Sequence, residues 1–361
     1  PGEFSKAISS IGGQENAFTS FDYTGYYQKV SPDALEQMMA YEADRMLNLT
    51  LEEDIVAAER EVILEERAGR VDDSPGSILS EFLQASLFVH HPYGVPVIGW
   101  EHEIVGLSRE DILAFYEKWY QPWNAIVVVA GDVEADAVLK LAQANYGKVE
   151  ATRPETERVR VSDPPPVVAK TLNYSDVRVT NPSWRRMFVT PSYRTGEPGE
   201  GEALDLLAAI LGESVTSRIY REIVLGAELA TSAGAFYQGS SRDDGTFGLY
   251  ASPRGEATVE EVQAAMERQI DLLLEKGITQ EELDRARRSF LRSVIYSQDS
   301  QVTLARIYGS VLASGGAVSD VTGWPSRLET VTVEDINKVA RKYLVREHAV
   351  SGYLLPEEQA Q

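Results

Sequence analysis

Cysteine is absent from all 361 residues. That excludes disulfides and thiolate chemistry, and leaves His, Asp and Glu as the strong metal ligands. Histidine is scarce, with only His90, His91, His102 and His348. Basic residues are also few, 34 Lys and Arg against 56 Asp and Glu, for a net charge of −22. Such a field repels nucleic acid and anionic lipid, and it either attracts basic partners or serves solubility alone. No apolar run reaches the ~18 residues that cross a bilayer, so no membrane span is expected. Residues 1–10 lack the basic and apolar regions of a signal peptide, and position 1 is not Met. Any targeting segment is therefore expected upstream, and a soluble chain of cytoplasm or periplasm remains open.

The residues present describe a globular protein, 43% hydrophobic and 25% charged, long enough for two domains. Ser31-Pro32 marks a helix start ahead of Leu35, Met38, Met39 and Met46, apolar at helical spacing. Thr50-Leu51-Glu52-Glu53 reads as a capping box opening a helix to about Ala68, and Ser108-Arg109-Glu110-Asp111 opens another. Residues 16–30, rich in Thr, Phe and Tyr, read as strand, and the apolar run Ala125–Ala130 as a well-buried strand. A charged stretch, Thr152 to Pro166, ends in three prolines and reads as a linker. Beyond it come a strand near Arg186–Thr190 and a helix near Glu202–Leu211. The helix Glu260–Leu274 carries Val262, Met266, Ile270 and Leu273 on one face, as a core helix does.

An internal repeat organises these elements. Ser108 aligns with Thr332 without a gap as far as Val129 and Tyr353, so Glu110-Asp111-Ile112 meets Glu334-Asp335-Ile336 and Ala125 meets Ala349. Thr50-Leu51-Glu52-Glu53 likewise meets Thr279-Gln280-Glu281-Glu282. Two ordinary helix–strand pairs with similar caps would give some of this agreement. A duplication gives all of it, and predicts an α+β fold of two homologous domains, residues 1–163 and 167–361, each a sheet with helices mainly on one face. The second domain begins with the strand and helix Arg186–Leu211. Their counterparts in the first would fall upstream of Pro1.

Glu59 and Glu66 are seven residues apart on the Thr50 helix, about two turns, so their carboxylates point the same way. Such a pair suits one metal ligand and one supporting acid, or simply a solvated face shared with Glu61 and Glu65. The aligned positions in the second half are Arg288 and Ile295. Only one half thus carries the carboxylates, as a single site in a duplicated scaffold requires.

Several motifs together resemble the pitrilysin family of zinc peptidases, peptidase family M16. They are Gly12-Gly13-Gln14-Glu15-Asn16-Ala17-Phe18-Thr19-Ser20 with Tyr26-Tyr27, and Glu59-Arg60-Glu61-Val62-Ile63-Leu64-Glu65-Glu66. Also similar are His91-Pro92-Tyr93-Gly94, Ile98-Gly99, Tyr120-Gln121-Pro122-Trp123-Asn124 and the second-half turn Gly277–Leu283. The resemblance implies a zinc held by two His of an H-x-x-E-H helix, whose Glu is the general base, and by a distal Glu. Glu66 matches that distal ligand and Glu59 the acid that supports it. The strand Asn16, Ala17 and Phe18 matches the edge that pairs with an extended substrate peptide.

Two departures follow. H-x-x-E-H occurs nowhere in the 361 residues. The general-base Glu is therefore expected upstream of Pro1, no catalytic residue is expected within the chain, and zinc is expected in the complete protein but not held by this chain alone. Val224 and Thr231 stand where many active members carry an Arg and a Tyr that hold the substrate carbonyl. Arg218 or Arg221, with Tyr220 or Tyr237, are the substitutes to weigh. The resemblance thus implies a zinc-peptidase subunit that cleaves unfolded peptides in a closed chamber, with a second subunit of the same fold or a second copy as partner. The competing expectation is a non-catalytic peptide-binding or structural subunit.

Overall fold

The computed structural model describes residues 2–156 and 158–357. A helix, α1 (Glu3–Ser10), leads into an antiparallel hairpin of β1 (Gln14–Thr19) and β2 (Thr24–Lys29). Ser20 holds its turn: the Ser20 N–H donates to the Tyr23 carbonyl at 2.9 Å, and its hydroxyl accepts from the Tyr23 N–H at 3.2 Å. Helices α2 (Leu35–Asn48), α3 (Glu53–Arg67), α4 (Pro75–Leu87), α5 (Glu101–Gly106), α6 (Arg109–Trp119) and α7 (Ala135–Asn145) follow. Then come β3 (Lys170–Asp176), β4 (Ser183–Thr190), α8 (Glu200–Leu211), β5 (Ala230–Gln238) and β6 (Gly245–Pro253). Helices α9 (Val259–Lys276), α10 (Gln280–Ser297), α11 (Gln301–Ala313), α12 (Val318–Thr322), α13 (Trp324–Thr330) and α14 (Val333–Tyr343) precede the last strand, β7 (Val350–Pro356).

The chain forms two compact units that cut across the sequence halves. One comprises the residues up to Arg67, Val97–Val159 and Ser297–Ala313; the other comprises Ala68–Pro96, Arg160–Tyr296 and the residues from Ser314 on.

The second unit is built on a five-stranded sheet of order β3-β7-β4-β6-β5, with β3 and β7 parallel and the other neighbours antiparallel. Along β4 the burial alternates strictly. Trp184 and Phe188 enter a core with Leu204, Leu207, Leu211, Phe247, Met266 and Ile336, beneath α8, α9 and α14. Met187 and Val189 face the other way, onto Leu79, Leu83 and Leu87 of α4. Gly352 in β7 permits that approach, since a Cβ there would lie 2.8 Å from a Leu83 methyl. Helices thus lie mainly on one face.

The first unit contains only the β1–β2 hairpin as sheet among the described residues. Its helices are tied by long-range bonds to main-chain carbonyls: Arg60 to Leu107 at 2.9 Å, Tyr116 to Arg45 at 2.9 Å, and Arg109 to Leu51. Met38, Met39, Ala43, Val56 and Ile104 form its buried interior.

Two expectations need correction here. The helix expected from Thr50 begins at Glu53. Ala125–Ala130 is not a strand. Ile126 and Val127 are 49% and 51% exposed, whereas Val350, the residue aligned with Ile126, is 3% exposed. The difference is one of partners. Strand β7 lies between β3 and β4, and no strand among the described residues flanks 125–130. A continuous apolar run cannot supply a ladder by itself. The helical part of the repeat does hold locally. Helices α6 and α14 both open with a complete capping box, Ser108/Asp111 and Thr332/Asp335, and both lead into a 3-10 turn.

Candidate functional site

Helix α3 presents the two carboxylates singled out in the sequence. Val56 and Arg67 are buried and mark its inner face. Glu59 and Glu66 are both exposed. At 100° per residue they lie together roughly 80° round the helix from that face. The flank position suits groups that must be held by the fold yet reach a ligand. Arg67, next to Glu66, anchors the end of α3 by donating to the Gly99 carbonyl at 2.8 Å, with its guanidinium over the Trp100 ring.

No group of three or more His, Cys, Asp or Glu suited to hold a metal is present among the described residues. His91 shows why histidine does not fill the gap. It is buried, its Nδ1 accepts from the Tyr93 N–H at 3.1 Å, and its Nε2 lies 2.7 Å from an Asp243 carboxylate oxygen. The accepting Nδ1 fixes the tautomer, so Nε2 carries the proton and donates to Asp243. Arg160 also pairs with Asp243, and together these hold the Asp243 carboxyl below its ordinary range despite burial. The main-chain N–H groups of Val89, His90 and His91 all donate to Asp163. This network fixes a loop. His90 and His102 are exposed and His348 half-buried.

The strand singled out for peptide binding is β1. Asn16, Ala17 and Phe18 pair with Tyr27, Tyr26 and Gly25 of β2. The Ser20–Tyr23 bond that closes the hairpin sets the alternation. Counting back in steps of two, the pairs at Phe18 and Asn16 are bonded across the hairpin, and those at Thr19, Ala17 and Glu15 are not. The N–H and C=O of Ala17 therefore face away from β2, on an edge that pairs with no strand among the described residues. In the free chain the Ala17 N–H is satisfied by the Asn16 side-chain oxygen at 2.8 Å. The Phe18 ring leans over Gly25, where a Cβ would lie 2.5 Å from it, and so leaves the open edge uncovered.

In the second unit, Val224 is 4% exposed, within a π-helical turn over Tyr220–Gly226, and Thr231 is the second residue of β5, with its hydroxyl on the Ser252 carbonyl at 3.3 Å. Neither supplies a guanidinium or a phenol. Of the substitutes, Arg218 is bound to Glu282 and to the Gly277 carbonyl, and Tyr237 donates to the Pro191 carbonyl at 2.6 Å while buried. Arg221 is exposed and Tyr220 half-buried.

Three carboxylates on α8 escaped the sequence reading. Glu200 is buried against Lys342 and Tyr343 and Glu202 against Arg327, while Asp205 is half-buried and bonded to Tyr193. Burial foremost, with the nearby Glu213 and Glu202 carboxylates, pushes Asp205 up to about 7. Three acids within an otherwise apolar helix were the available signal.

Two family models define the class. "Insulinase (Peptidase family M16)" matches residues 2–100 and "Peptidase M16 inactive domain" matches residues 106–290. The chain belongs to peptidase family M16 and lacks its H-x-x-E-H motif. Among similar proteins, a zinc protease PqqE of Helicobacter pylori is 29% identical over 98% of this chain and 79% of its own length. An uncharacterized zinc protease, Rv2782c of Mycobacterium tuberculosis, is 31% identical over 97% of this chain and 78% of its own length. A protease from Helicobacter pylori of known crystal structure superposes with a TM-score of 0.92, at 28% identity, over 98% of this chain and 84% of that one. The first half of the periplasmic protease PqqL from Escherichia coli shares the fold, with a TM-score of 0.80 at 19% identity over 98% of this chain and 78% of that one. The relatives' names imply zinc. The described residues do not fit a zinc site by themselves, because no three His, Cys, Asp or Glu among them form a group suited to hold a metal.

Proposed function

We propose that this chain is a subunit of an M16-type peptidase assembly that takes unfolded peptides as an added strand on β1, and that it does not cleave them alone. The observation that carries this is the open edge at Ala17, whose N–H and C=O point away from the hairpin. Main-chain pairing of this kind holds many sequences in one extended conformation, as an enzyme for unfolded chains requires. Glu66, supported by Glu59, is the residue this chain would bring to a zinc. No step of bond cleavage is assigned to its own residues. Val224 and Thr231 leave the oxyanion donors to a partner of the same fold, a different subunit or a second copy. We infer that the halves 1–163 and 167–361 arose by duplication, which the twin capping boxes of α6 and α14 support.

The second reading, a subunit that only binds or encloses peptides, is favoured by the absence of a three-ligand group among the described residues. One experiment separates the two. The purified chain is incubated with a labelled unfolded peptide, alone and with a candidate partner subunit. Cleavage only in the mixture supports the assembly, cleavage by the chain alone refutes it, and binding without cleavage in both supports the second reading.

A further inference from the structure

Arg306 on α11 belongs to the first compact unit, as does β1. Its guanidinium lies 5.5 Å from the centre of the Phe18 ring. Tyr23 joins the cluster, with its ring 5.6 Å from that of Phe18 and its phenol bonded to Ser310. Val302, Thr303, Arg306, Ile307 and Ser310 line an open groove of about 330 Å³, room for a side chain. In a chain of net charge −22, Arg306 is exposed and makes no ion pair with a carboxylate among the described residues. A guanidinium within cation–π range of an aromatic ring keeps its planar donor fork free for a carboxylate.

Strand geometry links this group to the open edge. A peptide pairing with the Ala17 edge runs about 4.8 Å from β1. The peptide residue opposite Phe18 puts its side chain on Phe18's own face of the sheet, the face that Arg306 covers. The ring leans the other way, over Gly25, so nothing in β1 blocks that approach.

We propose that Arg306, with the groove along α11, is a specificity site that selects peptides carrying an acidic side chain opposite Phe18. This rests on the strand-pairing reading of β1. It reverses the preference for basic peptides that net charge alone suggests, because a guanidinium bonded directly to a carboxylate outweighs a diffuse field screened over ~8 Å.

The test uses the full chain and fluorescein-labelled octapeptides of alternating alanine and threonine, with glutamate, glutamine or lysine at one central position, read by fluorescence anisotropy. The glutamate peptide is expected to bind about tenfold tighter than its glutamine twin. Arg306→Gln should abolish that difference, and Arg306→Lys should keep part of it. Equal binding of the three peptides, a preference for lysine, or a glutamate preference that survives Arg306→Gln overturns the assignment. A parallel set, N-methylated at alternate amides, tests the underlying reading. If methylation at neither register weakens binding, or if no peptide binds at all, strand pairing itself is wrong. A methylation-sensitive interaction without glutamate preference removes Arg306's role alone.

Discussion

Asp205 offers a quantitative test of how the second unit uses its carboxylates. The side chain is half-buried on α8, where Tyr193 donates to it, Trp324 donates in turn to Tyr193 at 2.7 Å, and Glu202 and Glu213 lie near enough to repel its charge. Burial outweighs the phenol's favourable bond, and the carboxyl stands at about 7 against an ordinary 3.8. A carboxyl raised in the folded state stays protonated while its unfolded counterpart ionises, so stability falls as pH rises between those two values and levels off above the higher. Over the whole window the loss is on the order of 4 kcal/mol, and between pH 5 and pH 8 it is roughly 3 kcal/mol. Asp205→Asn keeps an acceptor for Tyr193 and cannot ionise. Urea denaturation of both proteins at the two pH values isolates this group, because every other titrating residue is common to both. The variant should gain about 3 kcal/mol relative to the parent on going from pH 5 to pH 8. A relative change below about 1 kcal/mol would refute the reasoning.

Arg218→Ala should destabilise by about 3 kcal/mol in urea unfolding, because it leaves Glu282 largely buried at the start of α10 and strips a donor from the Gly277 carbonyl. A loss under about 0.5 kcal/mol would instead mark Arg218 as a residue free for substrate. Val224→Arg should cost several kcal/mol, since a guanidinium there enters an apolar interior. A stable variant would mean that the π-helical turn opens readily enough to bring an arginine to the surface.

What could be read from sequence was what local chemistry decides. The capping boxes at Ser108 and Thr332 appear as expected, because an N-cap is a bond between a side chain and its own next turn. The face of α9 carrying Val262, Met266, Ile270 and Leu273 is buried as its period requires. Residues 152–166 have no regular element among those described, yet Asp163 has a specific task, holding three N–H groups some seventy residues away. No pattern within the linker could show that. Residues 125–130 mark the other limit, for their apolar run matches β7 and the ladder depends on strands elsewhere. The outward-facing pair at Ala17 needed only the register of one hairpin, whereas Arg306 needed the tertiary fold, because α11 lies far from β1 in the chain.

Zinc content and peptide hydrolysis measured on one preparation of the purified chain test the central claim most directly. After dialysis against zinc and then against buffer, the chain should retain less than stoichiometric metal by elemental analysis and leave an unfolded, quenched-fluorescence peptide intact, because one carboxylate cannot hold a catalytic ion against water. Stoichiometric zinc, lost in Glu66→Gln together with measurable cleavage by the chain alone, would contradict it.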